Sequence, residues 1–208
     1  MRIALLAAVS LGLTAPAATH PAAPTAPGTL DAAGANAAGC ITMNTKQLPL
    51  ATRKSPLDSV SFTVGGKPVM VCYGRPSLRG RSMIGGEAVP YGKLWRTGAN
   101  EPTMIHTAAP LSIAGLKVPA GTYSLYTVPG QTEWEVIVNR SITQWGEEHN
   151  YTDEVKAKEV GRAKVKAEKT PATIEQFTIR PDPASGDAKA LVLEWQNTRV
   201  PIPLSPAK

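Results

Sequence analysis

The sequence predicts an all-β protein: a single antiparallel β-sandwich, jelly-roll-like or Greek-key, carrying one long basic loop. Three observations lead there. The 208 residues include 18 glycines and 19 prolines, which punctuate strands and break helices. Between them run about ten short alternating or β-branched segments that read as strands. No stretch sustains an apolar stripe at helical spacing. Hydrophobic residues, at 42%, suffice for one packed core.

The first segment reads as an address. Arg2, an apolar run from Ile3 to Leu13 and the small residues Ala15-Pro16-Ala17 have the layout of a secretory signal peptide, placed at residues 1–17. The run is too short to span a bilayer as a helix. Residues 18–54 follow as a flexible Ala/Pro/Thr-rich tether and lead-in, with little apolar surface to offset the entropy of ordering. The mature protein is therefore expected in the periplasm or secreted, with no transmembrane segment after signal removal. Cys40 and Cys72 are the only cysteines, and in an oxidising compartment they read as one disulfide. Two separate buried thiols are the alternative.

The sandwich itself is placed at residues 55–204. Residues 59–64 and 67–73 flank Gly65-Gly66 as a hairpin. Residues 69–73 are apolar on both faces and belong in the middle of a sheet. Residues 103–107 form a strand. Residues 111–113 and 116–118 form a second hairpin around Ala114-Gly115, and 121–128 and 134–139 a third through Pro129-Gly130-Gln131. Residues 153–162 offer too few apolar positions for a buried helix. Strands at 163–168, 174–179, 190–195 and 199–204 complete the set, the last at a sheet edge because it contains Pro201 and Pro203. Val69, Val71, Leu125, Val136, Val138, Val192 and Trp195 are the expected core.

Net charge is +6, and the excess is local. Residues 40–100 carry Lys46, Arg53, Lys54, Lys67, Arg75, Arg79, Arg81, Lys93 and Arg96 against Asp58 and Glu87 alone. An exported basic surface suits anionic envelope ligands; with aromatics at 5% it lacks base-stacking platforms, so nucleic acid is not an expected partner. No Gly-x-Ser-x-Gly, His-Glu-x-x-His, P-loop or Gly-x-Gly-x-x-Gly motif is present, and no cofactor or metal site is predicted. His20 lies in the tether. His106 reads as a strand histidine satisfied by a neighbour, and His149 sits beside Glu147 and Glu148 in a polar loop. Glu133 and Glu135 bracket Trp134 on the solvent side of a strand.

Residues 74–102 form the long basic loop. A connection of this length in a compact domain is commonly functional. Arg75, Arg79, Arg81, Lys93 and Arg96 are read as converging on an anion, with Tyr91 or Trp95 as one wall. Arg79 and Arg81 straddle Gly80, so in an extended stretch both project to one side. The competing reading pairs Arg96 with Glu101 and another arginine with Glu87, leaving the rest on backbone carbonyls.

The runs Tyr73-Gly74-Arg75-Pro76-Ser77, 89–101, 118–130, 134–139 and Gln144-Trp145-Gly146 closely resemble the bacterial family called domain of unknown function 2911, over roughly residues 55–203. Gly74 stands where many relatives have Ser. The resemblance implies an exported single domain and brings no established activity or catalytic residues. Function is read as a non-catalytic binding module for an anionic or sugar-containing envelope ligand. The alternatives are a hydrolase or other enzyme using Glu101 or His149, and a structural protein whose arginines pin the loop.

Overall fold

In the computed structural model, which describes residues 39–207, Gly65 and Gly66 sit at φ 58° and 71°. There they close a two-residue turn that glycine enters without strain. The turn joins β1 (Leu57–Val64) to β2 (Lys67–Gly74), with Val64 opposite Lys67. β3 (Thr103–Thr107) pairs with the other side of β2, which makes β2 internal, as its two-sided apolar run requires. The chain then leaves this sheet for the short hairpin β4 (Leu111–Ile113) and β5 (Leu116–Val118), and returns as β6 (Gly121–Val128), β7 (Glu133–Asn139) and β8 (Glu159–Lys166). Two long strands follow, β9 (Glu168–Asp182) and β10 (Ala190–Pro206). The result is a six-stranded sheet, β1-β2-β3-β6-β7-β8, facing a four-stranded sheet, β5-β4-β10-β9. The strand pairings are antiparallel. Among the described residues no helix is long and apolar enough to cross a membrane. The expected signal peptide and most of the tether lie outside the described residues.

Alternation along the strands builds the core between the sheets. Val69, Val71, Leu125, Val136, Val138 and Trp195 all belong to one buried cluster, with Leu191 and Leu193 beside Trp195. Val192 is fully buried too but lies outside that cluster, since alternation turns it to the opposite face from Leu191 and Leu193. At the centre Trp95, Trp134, Phe177 and Trp195 meet ring to ring, with Trp95 centroids 5.1–6.0 Å from the other three. Such rings each bury about 150–250 Å² and dominate core energetics.

The C-terminal strands differ from the expectation. The segments at 190–195 and 199–204 are one strand, because Gln196, at φ 54°, forms a bulge rather than a turn; pairing with β9 shifts register on both sides of it. β10 is also internal, not at an edge. Its prolines are tolerated because Pro201 and Pro203 lie between the last pairing with β9, at Arg199, and the first with β4, at Leu204. No ladder bond needs their missing N–H there. The expected strand at 163–168 is divided at Ala167 between β8 and β9.

Two segments cover the outer face of the six-stranded sheet. The Cys40–Cys72 disulfide, with its Cα atoms 5.8 Å apart, fastens the lead-in to β2. Further along, Ser124 Oγ donates to Ser141 O (2.7 Å), Asn139 Nδ2 donates to Val155 O (2.7 Å), and the Tyr126 and Tyr151 rings meet edge-on at 4.7 Å. Residues 153–162, too polar for a buried helix, supply a single turn, α1 (Asp153–Lys156). It is capped by Thr152, and only Val155 is buried.

Candidate functional site

The long loop is ordered by docking on the four-stranded sheet. Phe177 N–H donates to Pro76 O and Leu78 N–H to Glu175 O, each at 2.9 Å, so residues 76–78 extend the edge of β9. Arg81 N–H then reaches back to Leu78 O at 3.0 Å across Arg79 and Gly80, at φ 50° and 74°. This is a tight reversal with two left-handed residues, not the extended stretch expected around Gly80. Arg79 is held in that conformation by Glu175, whose Oε1 accepts the Arg79 N–H at 2.9 Å. The bulge residue Gln196 pins the next stretch: its Oε1 accepts N–H groups from Met83 (2.8 Å) and Ile84 (3.2 Å).

The cations separate into two groups. Arg75 forms an ion pair with Asp58 at 3.0 Å and donates to Phe177 O and Thr178 Oγ1, both at 3.1 Å. Arg53 donates to both oxygens of Glu101, at 2.7 and 2.9 Å, and Glu101 also accepts Met43 N–H at 2.6 Å. The Arg53 and Glu101 side chains are 0% and 5% exposed. Glu101 is therefore engaged by the lead-in rather than by Arg96. Sequence reasoning passed over Arg53, because its partner lies 48 residues away and no local pattern marks the pair.

Arg79 and Arg81 are different. Both are exposed, and their side chains bond only backbone carbonyls: Arg79 to Lys54 O at 2.9 Å, Arg81 to Leu78 O and Ser77 O at 3.1 and 3.2 Å. Together with Lys54, Ser55 and Ser77 they line a cavity of about 350 Å³. Among the described residues neither forms an ion pair. Lys54 is a second residue that the sequence did not single out, for it lies just outside the loop. Lys93 is exposed and does not line this cavity. Tyr91, 40% exposed, rests its ring on Gly85, where a Cβ would lie 2.5 Å from it. Trp95 is 7% exposed. It stacks on Trp195 at 5.9 Å and donates its Nε1–H to Gly98 O, so the ring is a core element.

Arg96 lines a second cleft of about 500 Å³ together with Glu87, Glu147, Glu148 and His149. A third cavity, about 300 Å³, shares Ser55 and Arg81 with the first and Trp95 and Arg96 with the second. The turn carrying Arg96 is strained: Thr97 and Asn100 sit at φ 57° and 66°, held by Thr103 Oγ1 donating to Thr97 O (2.6 Å) and Asn100 Nδ2 to Ser55 O (3.0 Å). Asn100 O accepts from Arg96 Nη1 and from Gly146 N–H. A Cβ at Gly146 would lie 2.6 Å from Arg96 Cδ, so only glycine lets the arginine stem lie there. Burial lowers the Arg96 pKa, and the nearby Glu147 and Glu148 charges oppose that shift.

The remaining candidates are spread over the surface. His149 Nε2 is 3.6 Å from Glu147, both open to solvent. His106 shares a 2.9 Å hydrogen bond with Thr122 Oγ1. Glu133 and Glu135 pair across the β7–β8 ladder with Lys164 (3.0 Å) and Arg162 (2.8 Å). Among the described residues no three His, Cys, Asp or Glu side chains are grouped to hold a metal ion.

No curated protein and no solved structure matches the chain. Residues 55–204 match the family described as "Protein of unknown function (DUF2911)", and the chain belongs to that family.

Proposed function

We propose that the protein is an exported, non-catalytic binding module for an anionic ligand, held at the cavity of Lys54, Arg79 and Arg81. One observation carries this reading: two exposed guanidinium groups and an ammonium line a single cavity with no carboxylate among its walls. Guanidinium forks match phosphate and carboxylate geometry, and Ser55 and Ser77 add hydroxyl donors. The Cys40–Cys72 disulfide is compatible with an extracytoplasmic protein. Trp95 is packed among three core rings, and neither it nor Tyr91 lines this cavity, so charge rather than stacking is the basis of recognition. Glu101 gives no support to an acid–base role, since both its oxygens are engaged.

Isothermal titration with inorganic pyrophosphate tests the reading. The Arg79→Ala, Arg81→Ala double variant is expected to lose at least roughly tenfold in affinity, since hydrogen bonds to charged groups each contribute about 1.5–3 kcal/mol. Its Tm stays near that of the parent, because both side chains are exposed. Unchanged affinity in the double variant would overturn the assignment.

A further inference from the structure

We infer that the cleft around Arg96 is a second, separate site, for an α-amino-acid head group: carboxylate on the Arg96 side, ammonium on the side of Glu147 and Glu148. The two signs of charge line one cleft of about 500 Å³, yet among the described residues Arg96 forms no ion pair. Its one hydrogen bond goes from Nη1 to Asn100 O, which leaves the other donors of the fork for an occupant. The guanidinium is half-buried, and a charge withdrawn from water without a partner is costly. Glu147 and Glu148 are close enough for their charges to act on Arg96 but do not contact it.

An occupant must satisfy both sides. A simple anion would meet Arg96 and be repelled by Glu87, Glu147 and Glu148; a simple cation would suffer the reverse. A neutral molecule can hydrogen-bond to both sides but leaves both charges uncompensated. A head group bearing ammonium and carboxylate on one carbon matches both. Arg96 is pre-positioned for it, with its stem against Gly146 and its fork tied to Asn100, which lowers the cost of ordering on binding. Pro90 and Leu94 give the cleft an apolar wall for the ligand's carbon atoms. The Lys54–Arg79–Arg81 cavity has no such acidic side, so the two sites take different ligands and the second does not depend on the first.

The test is titration of the mature protein with L-alanine, N-acetyl-L-alanine and L-alaninamide. L-Alanine is expected to bind, and each blocked analogue at least tenfold more weakly. Arg96→Gln abolishes alanine binding. The exposed pair Glu147→Gln, Glu148→Gln weakens alanine tenfold and removes the penalty against N-acetylalanine, with no burden on folding. Arg79→Ala, Arg81→Ala leaves alanine binding unchanged while pyrophosphate binding falls, so the two sites succeed or fail separately. No binding of alanine to the folded parent, equal binding of N-acetylalanine to it, or undiminished binding in Arg96→Gln would overturn the proposal.

Discussion

Arg53 and Arg96 flank the same turn and are both withdrawn from water, but they are compensated differently. Arg53 arrives from the lead-in, is fully buried, and gives both arms to Glu101. Arg96 is half-buried, bonds one backbone carbonyl, and faces a cleft. The same contrast separates Arg75, paired with Asp58, from Arg79 and Arg81, which have only carbonyls. Net charge alone does not locate a binding surface in this protein. The proposed anion site uses the subset of cations left over once those needed to hold the loop and lead-in have been matched with acids.

That division can be broken at its strongest point first. Glu101→Gln leaves Arg53 buried without a counter-charge and is expected to destabilise the fold by about 3–5 kcal/mol in urea unfolding. Arg96→Gln, which removes no ion pair, is expected to cost far less. Equal costs would erase the distinction between the two arginines.

The lead-in supplies Arg53 and Lys54, so the disulfide bears on both regions. Cys40→Ser, Cys72→Ser opens a loop with a sequence separation of 32 and is expected to lose about 3–4 kcal/mol on the chain-entropy model. Chemical unfolding of the oxidised and variant proteins measures it.

Gly74 sharpens the comparison from the loop side. A Cβ there would lie 2.1 Å from Ala99 O, so Gly74→Ser must displace the turn that carries Arg96. A loss of about 1–3 kcal/mol is expected for overpacking of this kind, read as a lowered urea midpoint. An unchanged midpoint would mean that the turn yields freely.

Alkaline pH is expected to act more gradually. Burial pushes the Tyr73 and Tyr126 phenols up to about 12, above the free value of about 10. Their neutral forms are favoured in the folded state, so this stabilisation is complete below pH 10 and is lost as pH rises toward 12. Urea midpoints between those values should fall, and less steeply in Tyr126→Phe.

The hairpins were legible in the sequence because their turns are chemically marked. Gly65-Gly66 and Ala114-Gly115 sit between alternating runs, and the strands they join carry their apolar residues at period two. β10 was not legible as one strand, since Gln196-Asn197 has turn composition and only pairing with β9 turns it into a bulge. The Arg79-Gly80 reversal carried a readable signal in its glycine, overshadowed by the arginines on either side. Trp95 illustrates a deeper limit: an aromatic in a basic loop looks the same whether its ring faces a ligand or the core, and here three other core rings decide. Long-range pairing likewise decided which cations remained unmatched, as Arg53 with Glu101 shows.

The most direct measurement of that division is the arginine side-chain 15Nε spectrum during titration with pyrophosphate. The account predicts shifts confined to Arg79 and Arg81, with Arg53 and Arg75 unmoved. Shifts at Arg53 or Arg75 matching those at Arg79 and Arg81, or no shift at any of the four, would contradict it.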